Sequence, residues 1–236
     1  ENAFNNYDSI LCAGPHHFRE IRREEEIKNL KPKNLVKAGY YRLERIYDNF
    51  KKYHKNETKK TVLIAPSWGK DNIIESCGKK LIEVLLQSDW QVILRPHPET
   101  LKRSADLVKE IESEFKTNTS FTVERSVRTD DSLMKADILI SDYSGIALEY
   151  ALGTERPVIS ISVPSKVHNE HFKDWGMEPL ELALRSQIGA VLSPAEIASI
   201  PKIISMLISE TEVYRKKLVE IGLRYFRNGL YWRGTI

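Results

Sequence analysis

Short continuous apolar runs, closed by prolines or polar residues, alternate with stretches in which apolar residues recur at helical spacing. Thr61-Val62-Leu63-Ile64-Ala65 stops at Pro66, Trp90-Gln91-Val92-Ile93-Leu94 precedes Pro96, and Asp137-Ile138-Leu139-Ile140-Ser141 is the most apolar segment. Phe121-Thr122-Val123 and Val158-Ile159-Ser160-Ile161 read as further strands, and Ala190-Val191-Leu192 as an edge strand. Unbroken apolar runs of strand length mark strands buried on both faces, the habit of parallel sheets. Helical periodicity fills the gaps at 73–86 (Leu81, Ile82, Leu85 and Leu86 on one side), 100–116, 132–135, 144–152, 195–208 and 211–227. This order predicts an α/β fold: a Rossmann-like parallel sheet with helices on both faces. Such sheets bind ligands beyond the carboxyl ends of their strands, so the loops there are where chemistry is to be sought.

The first part of the chain is less regular. Ser9-Ile10-Leu11-Cys12-Ala13 reads as a strand meeting a turn at Gly14-Pro15, followed by a charged helix over 17–29. Lys31-Pro32-Lys33 breaks that helix, Asn34 to Gly39 reads as a second strand, and Leu43, Ile46 and Phe50 recur at helical spacing. Two strands and two helices cannot enclose a core of their own. Residues 1–53 are therefore expected to be the remnant of a preceding domain, with 54–60 as linker, 61–210 as the main domain and 211–236 as a terminal helix.

Composition narrows the class. The 236 residues are 41% hydrophobic and 29% charged, as in ordinary soluble domains, and 11 Gly and 10 Pro follow no period. No run approaches the roughly 20 apolar residues of a membrane-spanning helix. Cys12 and Cys77 stand far apart without metal-ligand spacing, which points to a reducing, cytoplasmic setting. The chain starts without Met or a secretory leader and is expected to be a piece of something longer. The net charge is +3, with Arg and Lys concentrated over 19–60. That stretch is either a solvated helix surface or a contact for anionic lipid or polymer. No nucleic-acid-binding module is present, so nucleic acid is not an expected partner.

Candidate chemistry gathers at strand ends. Ser141-Asp142-Tyr143-Ser144-Gly145 follows the most buried strand and opens a helix, whose unpaired N–H groups suit a phosphate. Ser144 adds a hydroxyl, Gly145 allows close backbone approach, and Glu149 stands one turn on, placed to accept from ribose hydroxyls. The alternative is that Asp142 or Ser144 caps the helix and Glu149 is solvated. In Arg95-Pro96-His97-Pro98 two prolines set the position of a histidine able to donate to phosphate or act as acid–base, with Arg95 as a bidentate phosphate ligand. A packed turn histidine is the alternative there. Ser67 and Lys70, after the domain's first strand, are further anion ligands, with Trp68 as a wall. His168 and His171 have a spacing compatible with metal, but such a pair in a polar loop is usually surface, and no metal is expected. Walker, Gly-x-Gly-x-x-Gly, Gly-x-Ser-x-Gly and zinc-protease motifs are missing.

Ala-Pro-Ser-Trp at 65–68, Arg-Pro-His-Pro at 95–98, Ser-Asp-Tyr-Ser-Gly at 141–145 with Glu149-Tyr150-Ala151, and Arg156-Pro157-Val158 together resemble the CDP-glycerol glycerophosphotransferase family. These are bacterial enzymes of teichoic acid and capsule synthesis with the GT-B glycosyltransferase fold. Lys37-Ala38-Gly39-Tyr40-Tyr41-Arg42 is similar to the family's glycine–tyrosine segment before its interdomain linker, and the resemblance spans roughly residues 8–230. It implies a transferase whose CDP-glycerol-type donor is substrate and needs no further cofactor, with this chain supplying the donor-binding half after an acceptor-side remnant. Ser67, Lys70, Ser141, Asp142, Tyr143, Ser144, Gly145 and Glu149 would bind the donor, and His97 and Arg95 would be catalytic. The implied acceptor is an anionic or lipid-linked polymer, with peripheral contact at the inner membrane face, and the helix over 211–227 would pack back across the domain junction.

Some positions depart from the family. This chain has no His-Gly pair, the motif whose histidine is the family's base on the acceptor hydroxyl. Gly145 and Glu149 stand where the family often has Ser and Asp, and Ser-Gly followed by Glu is also similar to UDP-sugar enzymes. The alternative readings are therefore a GT-B enzyme acting on a UDP- or CMP-sugar, glycosyltransferase or UDP-N-acetylglucosamine 2-epimerase-like, and a non-catalytic nucleotide-binding domain.

Overall fold

A computed structural model describes residues 4–55, 58–126, 129–164 and 176–226. The chain opens with β1 (Ser9–Cys12), α1 (Pro15–Lys28), β2 (Asn34–Lys37) and α2 (Tyr41–Lys52). Pro15 belongs to the helix and not to a turn before it: it occupies the first helical position, where its missing N–H costs nothing. β1 and β2 pair in parallel as a two-stranded sheet. One face packs Ile10 and Cys12 on Ile21 of α1, while Leu11 and Val36 on the other face are exposed.

The main layer is a six-stranded sheet in the order β5-β4-β3-β6-β7-β8. Its strands are β3 (Lys60–Ile64), β4 (Trp90–Leu94), β5 (Phe121–Val123), β6 (Ile138–Ser141), β7 (Val158–Ile161) and β8 (Gly189–Leu192), paired in parallel throughout. Alternation along each strand feeds two cores. Val62, Ile64, Ile138 and Ile140 join α3 (Ile73–Leu86), α5 (Ala105–Phe115) and α9 (Ile200–Ser209) on one face. Leu63, Leu139 and Val158 join α6 (Asp131–Lys135), α7 (Ile146–Thr154), α8 (Leu180–Ala183) and α10 (Thr211–Phe226) on the other. The expected parallel α/β sheet, covered on both faces, is what forms.

Prolines redraw some of the expected helices. The stretch over 100–116 is α4 (Pro98–Arg103) and then α5, because Pro98 starts a helix capped by His97. The stretch over 195–208 is a 3-10 turn, Pro194–Ser199, followed by α9 with Pro201 in its first turn. The short helix α8 was not foreseen. Residue 227, the expected end of α10, and part of the expected linker lie outside the described residues.

Helix α2 packs on α7, and α10 contacts both α7 and α1. Leu43 and Ile46 of α2 are almost wholly buried in the second core, worth about 2 kcal/mol each relative to exposure. Gly153 makes the approach feasible: a Cβ there would lie 2.4 Å from the Ile46 side chain. Lys51 pairs with Glu155 at the end of α7 at 3.1 Å, and Arg45 to Asp130 at 3.0 Å and Lys55 to Asp137 tie α2 and the residues after it to the segments around α6. Much of the basic 19–60 stretch is thus neutralised within the protein, since Arg22, Arg23 and Lys28 of α1 also pair with acids of their own helix.

Candidate functional site

The order β4-β3-β6-β7 reverses the direction of chain progression between β3 and β6, the switch point where loops diverge and leave a crevice. A cleft of about 350 Å³ lies there, lined by Ala65 and Pro66 after β3, Arg95 to Pro98 after β4, Ser144 to Ile146 at the start of α7, and Arg42 and Glu149. The structure therefore brings His97, Ser144, Gly145 and Glu149 together, as their strand-end positions required.

The segment Ser141–Gly145 divides into two halves. Ser141 is fully buried and its hydroxyl donates to the Ala65 carbonyl at 2.7 Å. Asp142, also buried, accepts from the Ser67 N–H at 2.7 Å and the Ile73 N–H at 3.2 Å. These side chains fasten the β3–α3 loop and do not line the cleft, where they were expected as donor ligands. Ser67 is buried in the same fastening, and Lys70 is exposed on that loop without lining the cleft. Tyr143 faces the Arg185 guanidinium, 4.4 Å from its ring centre. Ser144 and Gly145 are the half that reaches the cleft.

No side chain caps α7, so neither Asp142 nor Ser144 plays that part among the described residues. Within that first turn the Ala147 N–H donates to the Ser144 carbonyl at 3.1 Å, so the start of α7 offers the cleft its remaining amides, beside the positive end of the helix dipole. At Gly145 a Cβ would meet nothing within 4 Å, which leaves bare backbone accessible from the cleft.

His97 caps α4 through Nδ1, which accepts from the Glu99 N–H at 3.1 Å. An accepting Nδ1 leaves the proton of the neutral ring on Nε2, so His97 presents a donor. Trp68 stacks on the ring with centroids 6.2 Å apart, and the Arg103 guanidinium lies over the indole. Arg95 borders the same cleft, but its guanidinium is engaged by protein groups. Its nitrogens donate to the Ser132 hydroxyl at 2.9 Å and the Thr129 carbonyl at 3.1 Å, with Glu124 at 3.7 Å, and it is buried. The guanidinium is spent on holding the β4 end against the segment before β6, not on the bidentate anion contact expected of it.

Glu149 sits in a helix buried almost all round. Its Oε1 accepts from the Tyr40 hydroxyl, and its Oε2 from Arg42 Nε at 2.7 Å. Gly39, at φ 80, makes the turn that delivers both residues from β2 into α2. Burial and the neighbouring carboxylate push the Tyr40 phenol up, so it stays a donor. Burial draws on the Arg42 guanidinium, but Glu149 holds its pKa above the usual value and it stays charged. Each carboxylate oxygen retains a second lone pair for a ligand. Tyr40 and Arg42 are candidate-site residues that chemistry along the sequence missed: only the aromatic–basic cluster after Gly39 marked them. His168 and His171 lie outside the described residues, and no helix among the described residues is long and apolar enough to cross a membrane.

Comparison with known proteins places the chain among relatives. Minor teichoic acid biosynthesis protein GgaB of Bacillus subtilis (strain 168) is 25% identical over 195 residues, 71% of this chain and 20% of that protein. The wall teichoic acid polymerase TagF, soaked with CDPG, matches 96% of this chain and 54% of its own at 18% identity and a TM-score of 0.57. The Methanocaldococcus jannaschii UDP-GlcNAc 2-epimerase, in complex with UDP-GlcNAc and UDP, matches 85% of this chain and 54% of its own at 16% identity and a TM-score of 0.53. At such identities the structural likeness is one of fold, of the GT-B type. The chain spans a fifth of GgaB and about half of the two solved chains. Residues 4–181 match the family model described as CDP-glycerol:poly(glycerophosphate) glycerophosphotransferase, and the chain belongs to that family.

Proposed function

We propose that this chain is the donor-binding half of a transferase moving glycerol phosphate, or a related polyol phosphate, from a CDP-activated donor to a growing cell-surface polymer. The observation that carries this is one cleft shared by the uncapped start of α7, the Nε2–H of His97 and the oriented Glu149 carboxylate. In the reaction so read, the acceptor hydroxyl oxygen bonds to the β-phosphorus, the bond from that phosphorus to the bridging oxygen breaks, and CMP leaves. Phosphoryl transfer of this kind rests on positioning and charge neutralisation. The α7 amides hold the diphosphate, Glu149 accepts from the ribose hydroxyls, and His97 donates to a non-bridging oxygen as charge develops. The acceptor hydroxyl gives its proton to a base, and the His-Gly pair that resemblance to the family implies for that role is missing from this sequence. The nucleotide donor is substrate, and the step needs no redox or prosthetic group. The acceptor is an anionic or lipid-linked polymer, reached by peripheral association with the inner membrane face.

Turnover of CDP-glycerol by the full-length protein tests this reading. His97→Ala is expected to lower it by about two to three orders of magnitude with the melting temperature held; unchanged turnover removes His97 from the mechanism. The Gly145 and Glu149 pair favours a second reading, a UDP-sugar enzyme, and the likeness to the 2-epimerase fold is in keeping with it. Calorimetric titration with CDP against UDP separates the two.

A further inference from the structure

Arg185 lies between α8 and β8, and less than a tenth of it is exposed. Its Nε and Nη2 are buried and have no hydrogen-bond partner among the described residues. A guanidinium stays charged in a protein, and a buried charge without a partner costs several kcal/mol. The Tyr143 ring, 4.4 Å from the guanidinium carbon, offers a cation–π contact but accepts no N–H. The side chain is not loosely placed. Leu184 and Ile188, on either side of it, are almost wholly buried, and the Arg185 N–H itself donates to the Leu182 carbonyl at 3.3 Å.

The surroundings decide what would satisfy it. Tyr143 directly precedes Ser144, where the uncapped start of α7 opens. Helix α8, just before Arg185, borders that first turn: Leu180 and Glu181 share a cavity of about 190 Å³ with Gly145 and Leu148. Unpaired donors therefore come from two unconnected elements at one corner of the sheet, backbone amides from α7 and guanidinium nitrogens from the loop before β8. The guanidinium is a cation, the amides are neutral donors at the positive end of a helix, and none can accept. With Glu149 and Glu181 bordering the cavity, the missing group is an anion with several acceptor oxygens that sits against the donors.

Building on the donor-binding reading above, we infer that Arg185 is a binding residue for the donor's diphosphate, gripping it on the β7–β8 flank of the α7 start while His97 holds the β4 flank. Tyr143 is its platform, keeping the planar fork in position.

The test measures affinity of the protein for inorganic pyrophosphate, CDP, UDP and cytidine, by calorimetry and thermal shift, in wild type, Arg185→Gln and Arg185→Lys. Arg185→Gln is expected to weaken pyrophosphate and CDP at least tenfold, to leave cytidine within twofold, and to keep the ligand-free melting temperature at or above wild type, since an unpaired charge is removed. Arg185→Lys, with charge but no fork, is expected to fall between the two, and decides the matter should Arg185→Gln not fold: full wild-type affinity in it overturns the assignment. Unchanged CDP affinity in Arg185→Gln, or equal losses for CDP and cytidine, overturns it and leaves the nucleotide reading standing. Arg185-dependent pyrophosphate binding with no response to CDP or UDP upholds the anion site and sinks the nucleotide reading. A wild-type protein indifferent to pyrophosphate sinks the assignment outright.

Discussion

The two ends of α7 are clamped in the same way, yet they do different work. Near its start Glu149 is held by Tyr40 and Arg42 from the beginning of α2; at its finish Glu155 is held by Lys51 at 3.1 Å, from the end of α2, and by Arg215 of α10 at 2.8 Å. An acid in the first turn complements the helix dipole, whereas an acid at the last residue opposes it. Glu155 also takes the left-handed conformation, φ 53, which a non-glycine residue adopts at a cost. Its two cations offset those costs. Glu149 pays no such penalty, and its clamps leave lone pairs turned to the cleft. Similar ion pairs thus serve packing at one end and recognition at the other, and the start of the helix decides which.

Replacing Glu149 by Gln strikes the recognition end and has the largest expected effect. Nucleotide affinity should fall ten- to a hundredfold in a calorimetric titration, while inorganic pyrophosphate affinity falls far less; equal losses would take the ribose contact from Glu149. Gly153→Ala strikes the contact that sets both clamps. Its methyl would overlap Ile46, and overpacking of this kind costs about 1–3 kcal/mol, read as a lower urea midpoint. Nucleotide affinity should drop with it, because α2 carries Arg42; a stability loss with affinity intact would uncouple the packing from the site. Glu155→Gly tests the packing end. Loss of the ion pairs and relief of the left-handed strain roughly cancel, so the stability change should stay within about 1 kcal/mol and affinity should not move.

The smallest effect concerns pH at the contact between α1 and α10. His16 donates through Nδ1 to the Tyr225 carbonyl at 3.2 Å, and burial holds its pKa below the ordinary imidazole value against the pull of that carbonyl. Burial lowers His17 as well. The unfolded chain then binds more protons, so their contribution is complete above the ordinary value and is lost as pH falls through the lowered ones. Urea melts between pH 7.5 and 5 should show wild type losing stability more steeply than His16→Gln, by less than about 1 kcal/mol; parallel slopes would remove His16 from the acid response.

Much of this molecule was legible in its sequence because the signals were local. Continuous apolar runs produced every strand of the six-stranded sheet, and the strand-end rule pointed to the loops that hold His97, Ser144, Gly145 and Glu149. Helix starts differ from the sequence reading at prolines, since Pro15, read as part of a turn, and Pro98, read only as fixing His97, both open helices, and Pro201 stands in the first turn of α9 inside the single helix expected over 195–208. Arg95, Ser141 and Asp142 had the right chemistry and the right loops for ligands. A polar side chain at a strand end points either into the cleft or back onto the neighbouring strand, and pleat and register settle which. Nor could any local pattern join Tyr40 and Arg42 to a carboxylate more than a hundred residues away. The order of apolar and polar residues alone determined the strands and the layers, since burial and periodicity are properties of short segments, while the strand order with its switch point came only with the packed sheet. The division of the polar residues between fastening and binding was decided only in three dimensions, because a hydrogen bond goes to whichever partner the packed backbone brings within reach.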